Sequence, residues 1–169
     1  MKTSLLWPWP LAGTLLLVGC TPGLTQSPPQ FLPITAQWCL EGPPPPRCIQ
    51  LEVPRGERQQ AMGLQLRPPL PHLRGMWFPY VTPVLARFWM HRTPEPLDML
   101  FIHDGRVIAL ESAVPPCMNL PCRSYGPDTP VDGVLELAAG QASVLGITVG
   151  TPVRITPLPG TFPSAPAPD

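Results

Sequence analysis

Met99-Leu100-Phe101-Ile102-His103, Asp104-Gly105, Arg106-Val107-Ile108-Ala109-Leu110 is the stretch whose reading decides the fold. Asp-Gly between two β-prone runs predicts a hairpin with a two-residue turn. Working outward, further strand-like runs fall at 34–40, 48–53, 76–80, 88–91, 134–138 and 153–156. The best helix candidate covers 57–66, although Gly63 weakens it. A second short helix over 141–145 is expected to stop at Gly146. Many short strands separated by turn signals predict a mainly β fold, a single small β-sandwich or barrel-like domain with one or two short helices. No internal repeat is visible.

Composition agrees with one folded unit. The chain has 169 residues, 44% hydrophobic and 13% charged, which is globular rather than disordered. Its 29 prolines and 14 glycines are unusual, but many of the prolines fall at the margins and in turns, as in Pro43-Pro44-Pro45-Pro46 and the tail from Pro157 to Asp169. The formal net charge is zero and no basic run occurs. No nucleic-acid partner is therefore expected, because phosphate neutralisation needs a basic stripe. The only lysine is Lys2. Once it is removed, Schiff-base, phosphate-loop and Ser-x-x-Lys chemistries are excluded. No Gly-x-Ser-x-Gly or Gly-x-Gly-x-x-Gly occurs, so neither a serine-hydrolase elbow nor a phosphate cradle is indicated.

The amino terminus reads as an export signal. Lys2 supplies the charge, and a short apolar stretch from Leu11 to Val18 leads to Leu17-Val18-Gly19-Cys20. The apolar run is well short of the ~20 residues a membrane span needs. Cysteine directly after Leu-Val-Gly resembles the bacterial lipobox, which implies a lipid on Cys20 as the mature first residue. Several acyl chains on one residue hold a protein on a membrane durably, whereas one chain does so only marginally. Residues 20–32, with Pro22, Pro28 and Pro29, then form a proline-rich tether, whose stretch from Thr21 to about Gln30 spans roughly 30 Å at ~3.1 Å per residue. The expected placement is extracytoplasmic, lipid-anchored to a bacterial membrane.

Four cysteines follow: Cys39, Cys48, Cys117 and Cys122. An even number in an exported chain favours disulfides. Four cysteines allow three connectivities. Cys39–Cys48 and Cys117–Cys122 are favoured, since each pair brackets a proline-containing turn. His72, His91 and His103 are scattered and no Cys-x-x-Cys occurs, so neither a metal nor another cofactor is expected.

Candidate binding residues are Arg67, Trp89, Met90, Arg92, Thr93, Asp98, Tyr125 and Glu136. In Phe88-Trp89-Met90-His91, strand alternation sends Phe88 and Met90 one way and Trp89 and His91 the other. Trp89 is then either a core aromatic or a stacking platform at a pocket mouth, with His91 and Arg92 beside it. Asp98 opens a hairpin strand, with Arg67 as the expected ion-pair partner. Glu136, between Leu135 and Leu137, faces away from both, and its simplest reading is a solvated sheet face. Convergence of Asp98 and Glu136 would supply the two carboxylates of a glycoside hydrolase.

The chain also resembles the domain-of-unknown-function family 192, from about Cys48 to Ile155. The resemblance is carried by an ordered set of blocks. The first are Glu57-Arg58, Gly63-Leu64, Arg67, Gly75-Met76-Trp77-Phe78, Phe88-Trp89-Met90 and Thr93. Then follow Pro96-Leu97-Asp98, Phe101-Ile102, Pro116-Cys117, Cys122, Tyr125, Val134-Leu135-Glu136-Leu137, Ala139-Gly140 and Gly146-Ile147 with Gly150. Gln65 stands where the family usually has methionine, and His91-Arg92 replaces its common Lys-Asn. The resemblance implies a compact, mainly β domain and no established activity.

The expected organisation is a lipoprotein signal over 1–19, a tether over 20–32, the β-rich domain over 33–157 and a proline-rich tail over 158–169. The expected function is a non-enzymatic module binding a small molecule, glycan or protein partner in the cell envelope. A carbohydrate hydrolase using Asp98 and Glu136, or a purely structural envelope protein, are the alternatives.

Overall fold

A computed structural model describes residues 28–42 and 45–160. The expected signal, Cys20, most of the tether and most of the tail lie outside the described residues.

The chain folds mainly as β structure. Strands β1 (Ile34–Leu40), β2 (Arg47–Glu52), β3 (Arg74–Val84), β4 (Phe88–Trp89), β5 (Leu97–His103), β6 (Arg106–Val114), β7 (Ser124–Tyr125), β8 (Val131–Ala138) and β9 (Ile155–Pro157) are joined by two short helices, α1 (Glu57–Met62) and α2 (Gln141–Leu145). Seven strands form one sheet in the order β6-β5-β8-β3-β2-β1-β9, and β4 pairs with β7 in a small second sheet. Within the large sheet only β2 and β3 run parallel, as the excursion through α1 between them requires. The sheet does not close into a barrel, although one segment reaches both of its edges. Val107 N–H donates to the Thr151 carbonyl and Val153 N–H to that of Gly105 at the β6 edge. A few residues later β9 pairs with β1 at the other edge.

The Asp104-Gly105 turn is built as expected, with φ of 47° and 64°, the pair of positive values that matches the twist of an antiparallel hairpin. Asp132 on the neighbouring strand clamps it. One of its carboxylate oxygens accepts the Asp104 N–H at 2.6 Å and the other lies 3.2 Å from His103 Nδ1. The helix expected over 57–66 ends earlier, at Met62, because Gly63 takes φ 48° and breaks the ladder. α2 matches its expected limits and is stopped by Gly146 in the left-handed region.

Strand β5 explains why the core has two layers. Leu97-Asp98-Met99-Leu100-Phe101-Ile102 is buried along its whole length, the pattern of a strand covered on both faces. Leu100 and Ile102 join Trp38, Ile49, Leu51, Leu135 and Leu137 on one face, covered by Ala142, Leu145 and Ile147 of α2 and its exit. Met99 and Phe101 join Met76, Phe78, Val131 and Val134 on the other, covered by Leu64, Ala86 and Met90 from the connecting segments. Gly133 makes room for the Trp77 ring against β8: a Cβ there would lie 2.2 Å from that ring and 2.7 Å from the Phe78 carbonyl oxygen.

Both expected disulfides are present. Cys39–Cys48 joins β1 to β2 with an S–S distance of 2.02 Å, and Cys117–Cys122 closes the loop before β7 at 2.14 Å. Disulfides of this kind persist in oxidising compartments. No helix among the described residues is long and apolar enough to cross a membrane.

Candidate functional site

The site is built on the second core face. β8 places Glu136 opposite Met76 of β3 and opposite Met99 of β5. Both methionines are fully buried. Glu136 therefore leaves a central strand between two thioether side chains, and it is only 5% exposed. This corrects its reading as a solvated sheet face: both faces of the sheet are covered, so polar-looking alternation does not mark solvent. Among the described residues no hydrogen-bond donor or cation contacts the Glu136 carboxylate. Burial without a partner disfavours the ionised form and pushes its pKa up to about 8.

Glu136 lies at the base of a narrow recess of about 40 Å³, shared with Gln65 and Leu64 beyond α1, Thr93, and the rings of Phe78, Phe88 and Trp89. A wider cavity of about 220 Å³ shares Gln60, Ala61, Phe78, Phe88 and Trp89 with it and adds Tyr80 and Arg87. Tyr80 follows Met76 and Phe78 at alternate positions of β3, so it projects from the same face. Burial, and behind it the charge on Glu136, raise the Tyr80 phenol above its ordinary value. Arg87 is held at the rim by the carbonyl oxygens of Ala86 and Pro127 and by Asp128.

Strand alternation holds across β4. Met90 is 1% exposed, whereas Trp89 is 48% exposed. Trp89 is thus not a core residue, and its ring lies 5.4 Å from that of His91 on the outer side. Phe88 packs edge-on against Phe78 at 5.0 Å.

Asp98 is elsewhere. The register pairs Met99 with Glu136 and Asp98 with Leu137, so the two carboxylates leave the sheet on opposite faces and cannot flank one glycosidic bond. Asp98 accepts the N–H of Ala113, a residue at φ 48° beside an irregular stretch of β6, and the N–H of Ala142 in the first turn of α2, each at 2.9 Å. Gly140, the helix N-cap residue, has no side chain to satisfy that turn, so a carboxylate from a distant strand does so. Asp98→Ala leaves the buried Ala142 N–H and the part-buried Ala113 N–H without their acceptor and is expected to cost about 1–3 kcal/mol in urea unfolding. A loss under about 0.5 kcal/mol would mean that water replaces the carboxylate.

Arg67 does not pair with Asp98 as expected. It forms a two-point ion pair with Glu52, Nη1 at 2.6 Å and Nη2 at 3.0 Å. Its guanidinium also lies 4.5 Å from the centre of the Phe31 ring. Met90 is core. Arg92, at φ 56°, donates its N–H to the Cys117 carbonyl and accepts that of Leu66. Tyr125 pairs with Phe88 and lies under Arg123 at 5.0 Å. Of the expected residues, the recess gathers Trp89, Thr93 and Glu136. Sequence reading missed Tyr80, Arg87, Phe78, Phe88 and Gln60. The signal for Tyr80 was its even spacing from Met76 and Phe78, which has meaning only once the β3–β8 register is known.

For a metal ion, His103, Asp104 and Asp132 bring ligand atoms within 4.8 Å of one another. Asp132 is already committed to the turn through the Asp104 N–H and His103.

A family profile described as "Uncharacterized ACR", DUF192, matches residues 41–155. The chain belongs to DUF192. Two solved structures resemble it. One is a "putative transcription regulator" from Sinorhizobium meliloti 1021, with 28% identity, a TM-score of 0.62, and coverage of 73% of this chain and 92% of that one. The other is a protein of unknown function from Novosphingobium aromaticivorans DSM 12444, with 30% identity, a TM-score of 0.61, and coverage of 71% and 83%. No functionally curated protein matches the chain.

Proposed function

We propose that this DUF192 protein is a membrane-anchored, extracytoplasmic binding module without catalytic activity, and that its ligand enters the recess above Glu136. The observation that carries the reading is a buried carboxyl group with no partner among the described residues at the base of an aromatic-lined recess. Proteins rarely bury a polar group without a partner unless the site has a use for it. Trp89 and Arg87 at the mouth of the cavity add a stacking surface and a polar rim. The two disulfides and the Leu-Val-Gly-Cys stretch support an extracytoplasmic, lipid-anchored placement. With equal acidic and basic counts, the chain offers little to a phosphate backbone.

Two measurements test it. Metabolic labelling with an alkyne fatty acid should mark the wild-type chain and not Cys20→Ser; equal labelling would remove the anchor. In a thermal-shift screen of the mature Cys20→Ser chain against envelope sugars, peptides and small metabolites, at least one ligand should stabilise the protein. Trp89→Ala should weaken that ligand about tenfold, the scale of a lost aromatic contact. If Trp89→Ala changes nothing, the ligand does not use this recess.

A further inference from the structure

We infer that the group seated against Glu136 is a small cation, an ammonium head carried by a primary or methylated amine. The inference rests on the recess being a binding site and adds the chemistry of what enters it.

Hydrogen-bonding polarity makes the case. Once its proton is displaced, the Glu136 carboxylate offers both oxygen atoms to whatever enters. Gln65 donates one N–H of its Nε2 to the Ala61 carbonyl at 2.9 Å, which leaves its amide oxygen available as an acceptor. Thr93 turns its hydroxyl toward the His91 carbonyl at 3.5 Å, which leaves its lone pairs available. Both residues line the narrow recess with Glu136. Acceptor atoms of Gln65 and Thr93 thus lie in the recess with the Glu136 carboxyl group, and a ligand with N–H or C–H donors fits them. The aromatic wall has the same preference. Phe78, Phe88 and Trp89 surround the recess and Tyr80 the outer cavity, and ring faces attract cations most strongly when water is excluded.

Charge complementarity favours a cation over an anion. An anionic head would find no cation in the lining of the recess among the described residues. Arg87, which lines the outer cavity, sits at its rim and is paired with Asp128. Size sets the limit: a recess of about 40 Å³ takes a head group and not a ring, while the 220 Å³ outer cavity takes what the head is attached to.

Titration in the recess gives the cation a signature. The ionisable groups facing it are Glu136 from β8, Tyr80 from β3 and Arg87 at the rim; α1 and the segment after it contribute no ionisable side chain to the lining. Glu136 holds its proton up to about pH 8. A cation must displace that proton, so its affinity rises with pH up to this point, by at most tenfold per unit. A neutral ligand accepting a hydrogen bond from the protonated acid shows flat affinity below it and a loss above.

The test uses the mature chain carrying Cys20→Ser and isothermal titration with ethanolamine and choline. Their neutral counterparts are ethylene glycol and 3,3-dimethyl-1-butanol. At least one cation should bind more than about tenfold tighter than its counterpart, and tighter at about pH 8 than at about pH 6. Glu136→Gln should reduce that cation's affinity at least about tenfold while leaving the thermal transition cooperative. Binding by neutral counterparts alone, lost in Trp89→Ala, would overturn the cation and keep the recess as a site. Absence of binding by all four probes would overturn the cation, and absence of any ligand in the wider screen would overturn the site as well. Sedimentation with phosphatidylethanolamine or phosphatidylglycerol vesicles separates two sources of the same chemistry. Retention on the first alone assigns a lipid head group, and equal retention with binding of free ethanolamine assigns a soluble amine.

Discussion

Arg67→Met is expected to destabilise the domain by about 3–5 kcal/mol in urea unfolding at neutral pH, the usual result of removing one partner from a buried ion pair. Glu52 is almost fully buried at the end of β2, and Arg67 covers it with two hydrogen bonds. The same carboxylate accepts the Leu32 N–H at 2.9 Å, while Arg74 approaches it at 3.6 Å. One acid thus joins the chain before β1, the end of β2, the segment after α1 and the start of β3. Methionine keeps the stem volume of arginine but supplies no donor, so Glu52 is left with a backbone N–H and a partly exposed arginine. The double variant Glu52→Gln, Arg67→Met should recover most of the loss, because the glutamine oxygen still accepts from Leu32 and no charge is stranded. A single variant within about 1 kcal/mol of wild type would show that Arg74 alone satisfies Glu52.

Arg67 also shows where sequence reading stops. Local chemistry is legible: Asp104-Gly105 specifies its own positive φ values, and Gly146 stops α2. Each disulfide is legible because its cysteines bracket a short turn. What cannot be read is register between strands far apart in sequence. Asp98 and Glu136 both look like acids in apolar strands, and only the alignment of β5 with β8 shows that they point to opposite faces. Sequence reading gave Arg67 only Asp98 as a partner, and the fold brings it instead to Glu52 at the end of β2. Leu135-Glu136-Leu137 has the alternation of a half-wet strand, yet the small sheet and the segment after α1 cover the side on which Glu136 lies. Trp89 follows the reverse logic. Large aromatics usually pack, but Phe88 and Met90 already fill that layer, so Trp89 is turned outward.

That covered glutamate leads to the second large effect, on stability against pH. In the unfolded chain Glu136 ionises near its ordinary value of 4.5, whereas in the fold it stays protonated to about 8. Between those values the folded state holds one proton more than the unfolded state, so this group makes stability fall as pH rises. Across the whole window the penalty is on the order of 4–5 kcal/mol, at 1.36 kcal/mol per unit of pKa difference. Glutamine has the shape of the protonated acid and cannot ionise, so Glu136→Gln removes the penalty. The variant and wild type should melt together at about pH 4, and the variant should melt roughly 10 °C higher at about pH 8. Other ionisable groups act equally on both proteins and cancel in the difference. If the two melting curves run parallel from about pH 4 to about pH 8, Glu136 is solvated or paired in solution. A bound cation predicts one further change: saturating ligand should stabilise wild type most at the alkaline end, where the unpaired charge is otherwise most costly.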